Sequence, residues 1–181
     1  MESLLYTQYK KEVVPTLMRL FGYRNVMQVP RLKKVVLNIG YGKNVKDKNF
    51  IEHVEKAIAA IAGQKPVHNQ AKKSISNFKI RQGQPIGLSV TLRGQAMYNF
   101  VYKLVHLALP RVRDFRGLNK KSFDRGGNYT LGLKEQVAFP EITADLADRF
   151  YGLEITLVTD AKNKEAGLAL LTALGFPFRE K

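Results

Sequence analysis

Three histidines, His53, His68 and His106, and two acids set among cations, Asp114 and Asp124, are the first residues to test for chemistry. An imidazole acts as a zinc ligand only with further ligands at fixed spacing, and no HExxH or comparable pair surrounds any of the three. His106 reads as a residue of a helix surface or core edge. Two-metal phosphodiester chemistry needs clustered carboxylates. Asp114 in RVRDFRG and Asp124 in SFDRGG are instead flanked by Arg and Lys, the pattern of structural ion pairs. Gly40-Tyr41-Gly42-Lys43 follows an expected strand and resembles a phosphate loop. It fits neither GxxxxGK[ST] nor GxGxxG, because Val45 stands where the third glycine belongs. It reads as a glycine turn with Lys43, Lys46 and Lys48 available to phosphates. No GxSxG nucleophile site is present, and the absence of cysteine removes any thiolate, disulfide or Cys-ligated zinc. These residues imply no enzyme, no metal and no cofactor.

The chemistry the chain can do is that of its cations. Thirty Lys and Arg face fifteen Asp and Glu, a formal charge of +15, and the excess is uneven. Residues 1–134 hold 25 basic and 7 acidic residues, whereas residues 135–181 hold 5 and 8. Between Glu55 and Asp114 there are ten Lys or Arg and no acid. Such a surface repels itself unless a polyanion is near. Neutralising phosphates with Lys and Arg releases counterions and favours nucleic acid.

The elements that must position these groups follow from periodicity. Leu4, Leu5, Val13, Val14, Leu17, Leu20 and Phe21 recur at helical spacing, with Pro15 as a kink or a second start and Gly22 as the stop. Residues 33–40 read as a strand. Asp47 caps a helix whose stripe is Phe50, Val54, Ala57, Ile58 and Ile61, and which stops at Gly63. Residues 69–85 are polar and basic, a long loop or protruding hairpin. Residues 86–93 alternate as a strand. Residues 95–108 are helical, with Met97, Phe100, Val101, Leu104 and Ala108 inward and Pro110 as the end. Residues 111–127 form a second irregular basic segment. Residues 128–134 and 153–159 are strands, and residues 164–174 a helix. This order gives an α+β fold: an antiparallel-rich sheet with helices packed on one face and an open polar face. With 45% hydrophobic residues and no linker, one domain over 1–181 is expected, without a membrane span, secretory signal or transit peptide.

Alternation then sorts the strand residues. Ile86, Leu88, Val90 and Leu92 oppose Gly87, Ser89, Thr91 and Arg93. Val35, Leu37 and Ile39 oppose Lys34, Val36, Asn38 and Gly40. Tyr129, Leu131 and Leu133 oppose Asn128, Thr130, Gly132 and Lys134. A wet sheet face explains the alternation by itself; the charge turns the reading toward RNA, whose hydroxyls, phosphates and base edges suit small polar groups. Asn is depleted in strands, so Asn38 either bonds a neighbouring loop or faces a ligand. The polar faces lack the Phe and Tyr that a base-stacking sheet would need.

The segments LNIGYG (37–42), GQKP (63–66), AKKSISNFKIRQGQPIG (71–87), VTLRG (90–94), LPRVRDFRGL (109–118), FDRGGNYTLGLKEQ (123–136), FPEI (139–142) and GFPF (175–178) together resemble the large-subunit ribosomal protein five family, the bacterial-type binders of 5S ribosomal RNA. The resemblance spans nearly the whole chain in order. It implies a non-enzymatic ribonucleoprotein component of a cytoplasmic ribosome, bacterial or organellar. Its place would be the central protuberance of the large subunit, beside neighbouring ribosomal proteins and active in translation. The implied partners are 5S rRNA, large-subunit rRNA, P-site tRNA and a protein of the small-subunit head reached by an intersubunit bridge within residues 109–146. The positions matching the family's 5S rRNA contacts are Asn38, Gln64, Thr91 and Arg93. Those matching its tRNA-contacting loop, about residues 71–83, are Lys72, Lys73, Ser74, Lys79 and Arg81. One departure stands out: the family usually reads FDGRGNY where this chain has FDRGGNY, with Arg125 and Gly126 exchanged.

Overall fold

A computed structural model describes residues 3–179, the side chains of Lys43, Ala144 and Asp145 apart. Five strands, β1 Leu32–Gly40, β2 Val67–Gln70, β3 Pro85–Leu92, β4 Tyr129–Leu133 and β5 Leu153–Thr159, form an antiparallel sheet in the order β2-β3-β1-β5-β4. Helices pack alongside it, as the element pattern in the sequence implies. No helix among the described residues is long and apolar enough to cross a membrane. By their contacts the residues divide into two compact units. One holds residues 1–35, 92–131 and 156–181; the other holds residues 36–91 and 132–155. The divisions fall inside β1, β3, β4 and β5, so no linker-like composition marks them.

In the first unit, α1 Leu4–Gln8, a π turn at Tyr9–Val13 and α2 Val14–Phe21 run on as helix until Gly22, which turns left-handed at φ 66°. Leu5, Tyr9, Val13 and Leu17 form its buried stripe. Pro15 lacks the N–H for the carbonyl four residues back, and its ring crowds that carbonyl. The wider π turn just before it absorbs the conflict. The device recurs: α4 Gly94–Lys103 passes through a π turn at Leu104–Ala108 into α5 Leu109–Arg111, with Pro110 in its first turn. Pro110 therefore does not end the helix, which lets go at Val112 (φ −66°, ψ 127°). Met97, Phe100, Val101, Leu104 and Ala108 are buried, as their spacing predicts. Helix α7 Lys164–Ala173 starts at Asn163, whose side chain accepts from the Ala166 N–H at 2.9 Å. A Cβ at Gly167 would collide with the carbonyl of Gly127, which explains a glycine inside a helix.

In the second unit, α3 Lys48–Ala62 follows its sequence signals closely. Asp47 accepts from the Phe50 N–H at 3.0 Å; Phe50, Val54, Ala57, Ile58 and Ile61 are buried; Gly63 closes the helix at φ 66°. Accepting the Phe50 N–H, and then the Arg149 guanidinium at 2.8 Å, holds the Asp47 carboxyl below the usual carboxylate range. Leu37, Ile39, Leu88, Val90, Leu133, Leu153 and Ile155 bury the inner sides of the strands. Each such side chain contributes about 1.5–3 kcal/mol by leaving water. A buried glutamine ties down the approach to β5. Gln136 Nε2 donates to the Arg149 carbonyl at 2.6 Å, and its Oε1 accepts from the Tyr151 N–H at 3.2 Å. The short helix α6 Ala144–Ala147 precedes this clamp.

Candidate nucleic-acid interface

The outer sides of the strands carry the candidate residues. In the second unit, Asn38 of β1 and Thr91 of β3 lie on neighbouring strands, both half-buried, while the alternate residues Leu37, Ile39, Val90 and Leu92 are buried. Among the described residues the Asn38 side chain bonds no loop and no backbone group: its Nδ2 donates to Oε2 of Glu154 on β5 at 3.1 Å. Along the same outer side, Ser89 Oγ donates to Asn69 Oδ1 of β2 at 3.1 Å. Gly40 and Gly132 are exposed here. Neither has left-handed backbone, and an added Cβ at either would meet nothing within 4 Å. Gly87 differs, because a Cβ there would press on the Ile39 carbonyl oxygen at 2.9 Å. Gln64 is exposed just after the Gly63 stop.

Arg93 belongs to the first unit. It stands one residue beyond the end of β3 as the N-cap of α4, on extended backbone (φ −138°, ψ 165°) that continues the strand's alternation, and it is exposed. Asn128, expected on a polar strand face, is committed elsewhere. Its Oδ1 accepts from the Thr159 N–H at 2.9 Å, and its Nδ2 donates to Asp124 at 2.7 Å. The bond from Asn128 holds the Asp124 carboxyl below its ordinary range. Asp124 thus takes an asparagine, and among the described residues neither it nor Asp114 forms the ion pair its Arg and Lys neighbours suggest. Asp114 sits instead on left-handed backbone at φ 53°. The Arg125–Gly126 exchange is harmless to the turn. Gly127 is the left-handed residue at φ 74°, whereas a Cβ at Gly126 would find its nearest neighbours at 3.5 and 3.6 Å.

The basic segment between β2 and β3 is a hydrogen-bonded hairpin. The two strands pair antiparallel, Ala71 and Gln84 continue the ladder, and Ile75 and Ile80 exchange both backbone bonds at 3.0 and 3.1 Å. A 3-10 turn at Ser76–Phe78 leads into Lys79, left-handed at φ 54°. Lys72, Lys73, Ser74, Lys79 and Arg81 are all exposed. The Ser74 hydroxyl also accepts from the Gln82 N–H at 2.9 Å, so part of its capacity holds the loop. Lys46 and Lys48 are exposed, while the Lys43 side chain falls outside the described residues.

Two site residues escape the strand-by-strand reading. Glu154 faces outward because Leu153 and Ile155 face inward, a signal present in β5 had its alternation been sorted with the others. Phe78 is 70% exposed at the loop tip, between Asn77 and Lys79. An aromatic inside a polar, basic stretch is the available sign, and such a ring can stack on an unpaired base. The histidines serve structure: His68 lies between Tyr41 Oη (3.1 Å) and Glu55 (3.3 Å), His53 meets the Leu146 carbonyl at 3.1 Å, and exposed His106 packs on Tyr102. Among the described residues no three His, Asp or Glu stand together as a metal site.

Comparison with known proteins adds lineage to this geometry. Residues 25–81 match the family model described as ribosomal protein L5, and residues 85–178 match that of the ribosomal L5P family C-terminus. The chain is 56% identical over 180 residues to the large ribosomal subunit protein uL5 of Thermus aquaticus, covering 99% of both chains. It is 54% identical over 178 residues to the same protein of Halothermothrix orenii, covering 98% of this chain and 99% of the relative. It is 56% identical over 177 residues to that of Fervidobacterium nodosum, covering 98% and 96%.

Proposed function

The chain belongs to the ribosomal protein L5 family, structural and non-enzymatic constituents of the large ribosomal subunit, and from that premise we propose that it binds 5S rRNA and attaches it to the large rRNA in the central protuberance. The setting is the cytoplasmic ribosome, where the protein takes part in translation as an rRNA-binding component. On this reading residues 1–181 serve one RNA-binding task. Asn38, Gln64, Thr91 and Arg93 supply hydrogen bonds and charge to 5S rRNA. Lys72, Lys73, Ser74, Lys79 and Arg81 meet P-site tRNA through its backbone, which suits a contact that must accept every tRNA. A surface within residues 109–146 bridges to the small-subunit head.

One observation supports the reading most: Asn38 and Thr91 lie half-open on adjacent strands whose other side is core, where a ligand can reach them. A mobility shift with 5S rRNA and with tRNA of similar charge density tests it. The expected result is a marked preference for 5S rRNA that persists at physiological salt. Equal affinity for both would reduce the protein to a non-specific cation and sink the proposal.

A further inference from the structure

Asn38 and Glu154 form a pair whose polarity can be worked out. An ionised carboxylate only accepts hydrogen bonds, so the amide NH2 of Asn38 must face Glu154, at 3.1 Å, and its carbonyl must point away. Among the described residues that carbonyl meets no donor, and Glu154 has no Lys or Arg partner. Among the described residues, then, no cation lies within ion-pair distance of this carboxylate on the outer side of β1 and β5, in a chain whose net charge is +15. The Gln136 clamp on the Arg149 and Tyr151 backbone fixes where β5 begins, and with it where Glu154 stands. A phosphate brought here meets like charge. A hydroxyl or amino donor meets the Asn38 carbonyl and the spare lone pairs of the carboxylate.

We infer that Glu154 determines what this stretch of the sheet accepts. It holds the Asn38 carbonyl outward as an acceptor and turns phosphates away, so that β1 and β5 read ribose 2′-hydroxyls rather than the phosphate backbone. The inference rests on the RNA-binding role proposed above for the same face. Glu154 is a positioning residue for Asn38 as well as a contact. Exocyclic amino groups of bases share the donor chemistry, and the experiment separates the two sources.

The full chain is titrated with three versions of a 5S rRNA transcript: all-ribose, 2′-deoxy at the nucleotides that the wild-type protein protects, and inosine in place of guanosine at those nucleotides. Wild type is expected to bind the 2′-deoxy version about tenfold more weakly, as for one lost charge-assisted hydrogen bond, and the inosine version nearly as well as all-ribose. Glu154→Ala should lose about tenfold on the all-ribose transcript and with it the ribose preference. Glu154→Gln keeps an acceptor for Asn38 and should retain the preference. The Glu154 side chain is exposed, and melting curves of each variant check that the fold is intact. Tighter binding by Glu154→Lys, an unchanged ribose preference in Glu154→Ala, or a loss on inosine instead of deoxyribose would each overturn the inference. Wild-type binding with no response to Glu154 changes removes this inference alone. Failure of wild type to bind 5S rRNA removes the proposed function with it.

Discussion

The strand patch around Asn38 and the basic hairpin at 71–83 belong to the same compact unit, yet they are built on opposite physical principles. The patch is half-buried, carries neutral amides and hydroxyls plus one acid, and rests directly on fully buried Leu37, Ile39 and Val90. The hairpin is held by backbone bonds, its basic side chains all reach solvent, and Ile75 and Phe78 are exposed as well. Hydrogen bonds from a fixed platform discriminate by geometry and lose little to salt. Exposed cations attract any polyanion and are screened within roughly 8–10 Å at ordinary ionic strength. On the RNA-binding reading proposed above, the difference would let a single basic chain combine a selective contact with a permissive one.

The contrast can be broken most severely from below. Leu37→Ala empties a fully buried site under Asn38 and should cost the fold about 2–5 kcal/mol in a urea unfolding titration. A cost under about 1 kcal/mol would mean that the platform is not the rigid layer the packing describes. Next in size, Asn38→Ala should weaken 5S rRNA binding by about 1–3 kcal/mol with an unchanged salt slope. A flatter slope would place Asn38 among the charge-dependent contacts. Replacing Lys72, Lys73 and Lys79 together by Ala should shift 5S affinity by less than about 0.5 kcal/mol while lowering P-site tRNA occupancy on assembled ribosomes. An equal loss of 5S binding would merge the two regions into one.

The smallest effect concerns acid. The folded-state pKa of Asp47 is lowered, so its contribution is present above the ordinary carboxylate value and fades as pH falls through the depressed one. Asp47→Asn should therefore melt earlier than wild type at neutral pH, with the gap closing as pH falls through the depressed carboxyl pKa. A constant gap across that range would show that the helix cap acts without its charge. The hairpin has no acid between Glu55 and Asp114 to respond in this way.

Much of this architecture is legible from one sequence because its signals are local. Asp47, a five-residue apolar stripe and Gly63 all specify α3 together, and period-two alternation separates Asn38 and Thr91 from the core. What escapes depends on partners far along the chain. Pro110 reads as a helix end because a π turn cannot be seen in advance, although Pro15 follows the same construction. Asn128 alternates correctly but is claimed by Thr159, 31 residues later. Glu154 is 116 residues from Asn38, and only strand order brings them together. The cations of the hairpin are plain in composition; that Ser74 also holds Gln82 is not.

Gly132 and Gly40 remain bare although, among the described residues, nothing occupies the space beside them. A glycine in a strand costs conformational entropy, and Ala at a compatible backbone position usually raises stability by about 0.4–1 kcal/mol. A laboratory selecting the isolated protein for heat resistance would therefore be drawn to fill both positions. On the RNA-binding reading, each methyl would stand where a nucleotide must rest against the peptide plane. The hardiest version of the free molecule would then be a poorer ribosome part, and thermal screens run without RNA would mislead at these two places.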